Sequence, residues 1–222
     1  MRCFLSGLVL VVLSFNGLTQ ARAEKLIGNL PITGGGAALI SSDSQFAQGF
    51  AIPPGNSYAL ESVKFHLRSV WNPPALAVAN LRADGGSSGE RPIPGPIIAT
   101  LDCLTVPDTS KKEYLYVPTS PIVLEADTTY WVEVAPDPAG GWVGWNQGDP
   151  PTAPTGIASY VGLARSSDGG VSWHGTSLPF GTYGFEVNAT TVPEPSTLAM
   201  LGAGALGLVV FARRRRGKRP SV

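Results

Sequence analysis

Turn-forming clusters break this chain at short intervals, and they limit its fold more than any other feature. Pro53-Pro54-Gly55-Asn56, Asn72-Pro73-Pro74, Asp84-Gly85-Gly86, Pro136-Asp137-Pro138 and Gly148-Asp149-Pro150-Pro151 combine residues that preset φ, accept positive φ or lack a backbone donor. The 27 glycines and 20 prolines oppose long helices through the middle of the chain. Between the clusters, apolar residues recur with period two. Val63, Phe65 and Leu67 alternate with Lys64, His66 and Arg68. Tyr130, Val132 and Val134 share one face of 129–134, and Tyr183, Phe185 and Val187 alternate with Gly184, Glu186 and Asn188. That period predicts half-buried strands. Residues 46–52, 76–81, 97–101, 114–117, 142–145 and 157–163 are further candidates. Eight to ten short strands between frequent turns predict an all-β fold, an antiparallel β-sandwich of jelly-roll-like form.

The formal net charge is zero, yet the charges are unevenly placed. Arg213, Arg214, Arg215, Arg216, Lys218 and Arg219 crowd the C-terminus, whereas 24–192 holds eight Lys/Arg against fifteen Asp/Glu. Phosphate binding needs a basic face, so the acidic middle argues against a nucleic-acid partner.

The N-terminus predicts a signal peptide over 1–23. Arg2 supplies a positive start, 4–15 is an apolar run too short to span a bilayer, and Ala21-Arg22-Ala23 presents small residues for cleavage before Glu24. Such a segment is handed to the Sec translocon. Cys3 precedes the apolar run, so it is not placed as a lipoprotein cysteine. Cleavage leaves Cys103 as the only cysteine, which excludes an intramolecular disulfide. Its apolar surroundings (IIATLDCLTV) predict a buried, inert thiol.

At the other end, Val192-Pro193-Glu194-Pro195 is followed by seventeen uncharged residues, 196–212, and then RRRRGKRP. As a helix the uncharged run is about 26 Å long, within the lower range for a transmembrane span, and the basic cluster 213–219 would stay cytoplasmic. The ordered motif, apolar helix and arginine cluster resemble the PEP-CTERM sorting tail of Gram-negative bacteria. The resemblance implies that an exosortase recognises Pro193, Glu194 and Pro195. It also implies that Arg213, Arg214, Arg215 and Arg216 retain an inner-membrane precursor before the protein reaches the cell surface or the extracellular space. Inside the apolar run, Gly202-Ala203-Gly204-Ala205-Leu206-Gly207 matches a dinucleotide-binding pattern. It lacks the acidic residue required downstream, so it reads as membrane-helix composition. The chain therefore divides into a signal peptide (1–23), an extracytoplasmic domain (24–190) and a sorting segment (191–219).

The runs QGFAIPPGNSYALESVKFHL, IPGPIIATL, IVLEADTTYWVEV, SSDGGVSW and YGFEVNAT follow one another across about 45–190. In that order they resemble the choice-of-anchor R domain, an exported bacterial domain found with interchangeable C-terminal anchors. That resemblance implies architecture and address, and it supplies no catalytic residue. Ser166, Asp168, Gly170 and Trp173 fit S-x-D-x-G-x-x-W, which resembles the Asp-box of sialidase propellers. The box is a hairpin device: Asp168 bonds turn amides, Gly169 and Gly170 take positive φ, and Trp173 packs beneath. It occurs once, in a chain without the repeats of a propeller.

Other chemistry is sparse. His66 and His174 read as surface residues, and no nucleophile elbow is expected: the letters G-x-S-x-G at 85–89 lead into the proline-rich run RPIPGP, not into the helix such a turn requires. Asp137, Asp149 and Asp168 offer oxygen ligands for a structural Ca²⁺ but lack EF-hand spacing. No catalytic residue, metal or cofactor is expected. Asn188-Ala189-Thr190 is read as a chance glycosylation pattern. Two function classes follow. One is a non-catalytic surface or matrix protein that binds exopolysaccharide, with Trp71, Trp142, Trp145 and Trp173 as aromatics that stack on sugars or fill the core. The other is a secreted glycan-active enzyme, a glycoside hydrolase or lyase, whose paired carboxylates only a three-dimensional structure would reveal.

Overall fold

The computed structural model describes residues 23–70, 77–89, 91–105, 107–137, 141–176 and 182–192, with Gly202, Gly204, Gly207 and Leu208 of the tail. These residues form β1 (Glu24–Gly28), β2 (Ala37–Ile40), β3 (Gln45–Ala51), β4 (Ser57–Ser69), β5 (Ala77–Ser88), β6 (Arg91–Cys103) and β7 (Lys112–Pro118). They continue as β8 (Val123–Leu124), β9 (Thr129–Pro136), β10 (Val143–Asn146), β11 (Thr155–Gly156), β12 (Ser159–Ser166), β13 (His174–Thr176) and β14 (Phe185–Val192). The pairing is antiparallel throughout, in the order β11-β1-β14-β4-β7-β6-β5-β9-β3-β12-β13, with β10 joining β4 to β2 and β8 beside β4. The all-β antiparallel expectation is therefore what the structure shows. Its facing layers are parts of one curled sheet. Phe46 on β3 meets Tyr183, just before β14, edge to face at 5.5 Å, although five ladder steps separate β3 from β4. Gln48 Nε2 donates to the Tyr183 carbonyl at 2.9 Å, which ties the two layers together through the core.

The core follows from the alternation. Along β4, Tyr58, Leu60, Val63, Phe65 and Leu67 are buried, and Lys64, His66 and Arg68 take the other face. β14 pairs with it in register, Phe185 opposite Phe65 and Val187 opposite Val63. Phe65 packs edge to face on Tyr116 at 5.4 Å and on Trp145 at 5.2 Å. Removing a side chain of this size from water is worth about 1.5–3 kcal/mol, so this aromatic cluster anchors the curled sheet.

Two expectations are corrected here. β9 is not half-buried: Tyr130, Val132 and Val134 face the main core, while Trp131, Glu133 and Ala135 are buried on the reverse face. A second cluster of Ala47, Trp131, Ala164 and Trp173 covers that reverse face. Gly49, opposite Trp131, makes room for it, since a Cβ there would lie 2.9 Å from the indole. Likewise, Asp84-Gly85-Gly86 does not separate strands. It lies inside β5, which runs to Ser88, and its partner β6 begins at Arg91 rather than near 97. Bulges at Leu81/Arg82, Arg82/Asp84 and Asp84/Ser87 carry the pairing through the glycines. Gly85 and Gly95 let the two backbones approach where a Cβ would strike the facing carbonyl at 2.6 Å. The strands are consequently longer and more numerous than expected, and β1, β2, β8, β11 and β13 are additions.

Gly202, Gly204, Gly207 and Leu208 are helical, and among the described residues no helix is long and apolar enough to cross a membrane. The expected signal segment through Ala21, the motif Pro193-Glu194-Pro195 and the arginines 213–216 lie outside the described residues, as does most of the span 196–212. Trp71 and Asn72-Pro73-Pro74 also lie outside them.

Candidate functional site

The S-x-D-x-G-x-x-W residues build the connection between β12 and β13. Ser166, at the end of β12, donates from its hydroxyl to Asp168 Oδ1 at 2.7 Å and accepts the Gly170 amide at 2.8 Å. Asp168 takes the Ser172 amide on Oδ1 at 2.9 Å and the Ser172 hydroxyl on Oδ2 at 2.6 Å. The Ser172 hydroxyl, then the Ser172 amide and Ser166, hold the Asp168 carboxyl down at about 2. Gly169 and Gly170 have φ of 72° and 84°, which L side chains rarely adopt. Trp173 turns beneath the loop, donates Nε1–H to the Gly170 carbonyl at 3.2 Å, and is buried.

Below that turn lies a buried polar cluster. Arg82 Nε donates to Glu133 Oε2 at 2.7 Å, and Asn80 Nδ2 reaches the same oxygen at 2.9 Å. Arg82 Nη1 also donates to the Gly95 carbonyl at 2.9 Å, and its guanidinium sits 5.1 Å from the centre of the Trp173 ring. The second carboxylate oxygen, Glu133 Oε1, is buried without a hydrogen-bond partner. Gly170 roofs the cluster, because a Cβ there would meet Gln45 Oε1 at 2.5 Å and Arg82 Nη2 at 3.1 Å. The box, the bulged β5–β6 arm and the reverse face of β9 thus form one packed unit. Sequence reasoning missed Arg82 and Glu133, whose pairing spans 51 positions.

The remaining candidates are dispersed. His174 is exposed on β13. His66, expected at the surface, has both ring nitrogens enclosed and unpartnered, because Gly184 and Ile32 crowd its side of β4. Trp145 and Trp173 are buried, which removes them as sugar platforms, whereas Trp142 is 48% exposed. Cys103 is half-buried at the end of β6, and its thiol donates to the Thr105 carbonyl. Asp137 lies just beyond β9, Asp149 in the bend before β11, and Asp168 in the box; among the described residues no three His, Cys, Asp or Glu gather as a metal site. A groove of about 360 Å³ between β4 and the 117–122 loop carries one carboxylate, Glu61, which accepts the Thr190 hydroxyl at 3.0 Å. A glycosidase pair needs two such groups across the scissile bond.

Both ends of the folded domain leave from one place. β1 starts at Glu24, next to exposed Ala23, and pairs with β14 so that Glu24 faces Ala189. Thr191 donates its hydroxyl to Glu24 Oε1 at 3.3 Å. Val192, where β14 ends, is therefore roughly 10 Å along the strand from the level of Glu24. Residues 191–216 match the model of the PEP-CTERM protein-sorting motif, which begins within the last two residues of β14. No curated protein matches the chain. The motif marks a protein exported from a Gram-negative cell through a membrane-anchored precursor and processed by an exosortase.

Proposed function

We propose that this chain is a non-catalytic surface or matrix protein. The Sec translocon exports it behind a cleaved signal peptide, its tail holds it in the inner membrane, and an exosortase then releases it to the cell surface or medium. There its β domain, akin to choice-of-anchor R domains, binds exopolysaccharide. One observation carries the reading: the sorting motif starts inside β14, so no further domain intervenes between the folded sheet and the tail. The shared exit point of β1 and β14 supports it, since the first residue of β1 and the last residues of β14 lie at the same end of the sheet. The positions of the acidic groups support a non-catalytic role. Glu133, Glu186 and Asp108 pair with Arg82, Lys64 and Lys112, and Asp168 spends both oxygens on its own turn.

The sequence Pro193-Glu194-Pro195 favours an extended stretch, because each proline fixes φ and disfavours helix at its predecessor. An extended peptide with one charge is what a protease-like site can grip. Glu194→Ala is therefore expected to insert normally but to accumulate as full-length protein in the inner membrane of a host with a matching exosortase. Maturation of that variant at the wild-type rate would show the motif to be incidental.

A further inference from the structure

We propose that the outer face of β2, β10 and β4 binds an acidic polysaccharide, with Trp142 stacking on the sugar ring and Arg68 taking its carboxylate. The proposal rests on the polysaccharide-binding reading above and assigns it a place and a ligand class.

The register assembles the face. Gly144 on β10 pairs with Leu39 on one side and Arg68 on the other, and the Val70 amide bonds the Trp142 carbonyl at 3.1 Å. Side chains two apart on a strand share a face, so Leu39, Arg68, Val70 and Trp142 surround the bare Gly144 position. Leu39 is 45% exposed, Val70 36% and Trp142 48%, against complete burial of Val143 and Trp145 on the opposite face of the same strand.

Gly144 matters because Arg68 lies across it. A Cβ at 144 would sit 3.2 Å from both Cγ and Nε of Arg68 and 3.3 Å from the Ala37 Cβ. The arginine stem is thus seated against backbone, with Nε enclosed and without an acceptor. Its terminal nitrogens are the end left for solvent, and among the described residues no carboxylate pairs with them. Lys111 reaches the same neighbourhood, since its Nζ donates to the carbonyl of Gly35 at 3.3 Å, and a Cβ on Gly35 would meet the backbone of Gln147, the residue after β10. It too has no carboxylate partner among the described residues.

An exposed indole on one face with an uncompensated guanidinium, and a second uncompensated cation toward the far end of β10, is a chemically specific combination in a domain with nearly twice as many acids as bases. A pyranuronate matches it on both counts. Its C–H face is apolar and flat enough for an indole, and its carboxylate accepts charge-assisted bonds from a guanidinium. The acidic remainder of the domain repels a polyanion, which confines binding to this face and makes it sensitive to salt.

The test is affinity electrophoresis of the exported protein in native gels containing polygalacturonate or, in parallel, neutral dextran. Polygalacturonate is expected to retard the wild type and dextran to leave it unretarded. Trp142→Ala and Arg68→Gln are each expected to weaken the retardation on the order of tenfold, and Arg68→Lys, which keeps the charge, to restore part of it. Trp142 is half exposed, so its variant should melt with the wild type; equal melting curves keep a loss of binding distinct from a loss of fold. Retardation unchanged in both variants overturns the assigned face but keeps the polysaccharide-binding reading. Equal retardation by dextran, insensitive to Arg68→Gln, overturns the acidic ligand class alone. No retardation by either polymer overturns the proposal together with the reading it rests on. Self-association of the wild type that Trp142→Ala abolishes would make the face a contact between copies of this chain, and also overturns it.

Discussion

Replacing Arg82 with Met tests whether the buried cluster under the β12–β13 turn holds the reverse face of β9. Arg82 and Glu133 are 7% and 1% exposed, and the pair is joined at 2.7 Å. Met fills much of the arginine stem but removes the charge. Glu133 is then left with Asn80 as its remaining donor, on Oε2, while Oε1 is already unpartnered. The Gly95 carbonyl also loses its donor, and Trp173 loses its cation. Removing one member of a buried pair costs about 3–5 kcal/mol, because the other charge stays desolvated and uncompensated. Against a total stability of about 5–15 kcal/mol this is a large fraction. With a urea m-value near 2 kcal/mol/M, the unfolding midpoint should fall by about 1.5–2.5 M. The second arm is Arg82→Met combined with Glu133→Leu, which removes both charges together. That double variant should regain most of the loss, since an apolar pair of similar volume has no desolvated charge to compensate. A single variant within about 1 kcal/mol of wild type, or a double variant no better than the single, would refute the reasoning.

The register of β4 predicts that Phe65→Asp destabilises by several kcal/mol, because an unpaired charge would enter the aromatic core, whereas Lys64→Ala costs about 0–1 kcal/mol for its partly exposed bond to Glu186. Equal losses in chemical denaturation would place the strand in the wrong register. Asp168 and Asp108 both titrate at about 2 in the folded chain against an ordinary 3.8, Asp108 chiefly through the Lys112 ammonium. The folded state therefore binds fewer protons than the unfolded state between those values. The stability they contribute is complete above about pH 4 and is lost as pH falls through 2. Asp168→Asn should flatten that part of a stability-against-pH curve, and an unchanged acid limb would count against the turn geometry.

Legibility from sequence depended on whether a strand had a wet face. β4 and β14 keep polar residues on their outer faces, so Val63, Phe65, Val187 and their neighbours announce the core. β9 carries Trp131 and Glu133 between its core residues. Their burial depends on Trp173 and Arg82, which come from distant parts of the chain, so local periodicity could not report it. Gly85 and Gly86 look like a turn because glycine serves turns and bulges alike; only the facing Gly95 distinguishes the two uses. The tryptophans show the same limit. Trp142 and Trp145 are three residues apart, yet one is half exposed and the other sealed against Phe65 and Tyr183. The box was readable because its chemistry is local, with Ser166, Asp168, Gly170 and Ser172 bonding one another within seven residues. The sorting motif was readable for the same reason: its three parts are contiguous and need no tertiary contact to be recognised.

The central claim is that the tail is a processed sorting signal appended directly to a folded β domain. The most direct measurement is the intact mass of the exported protein from a host with a matching exosortase, beside the same host lacking that enzyme. The account predicts an exported form that begins at Glu24 and lacks Arg213–Arg216, and a membrane-bound form without the exosortase that still carries them. An exported form that retains the arginine cluster, with the same mass in both hosts, would contradict it.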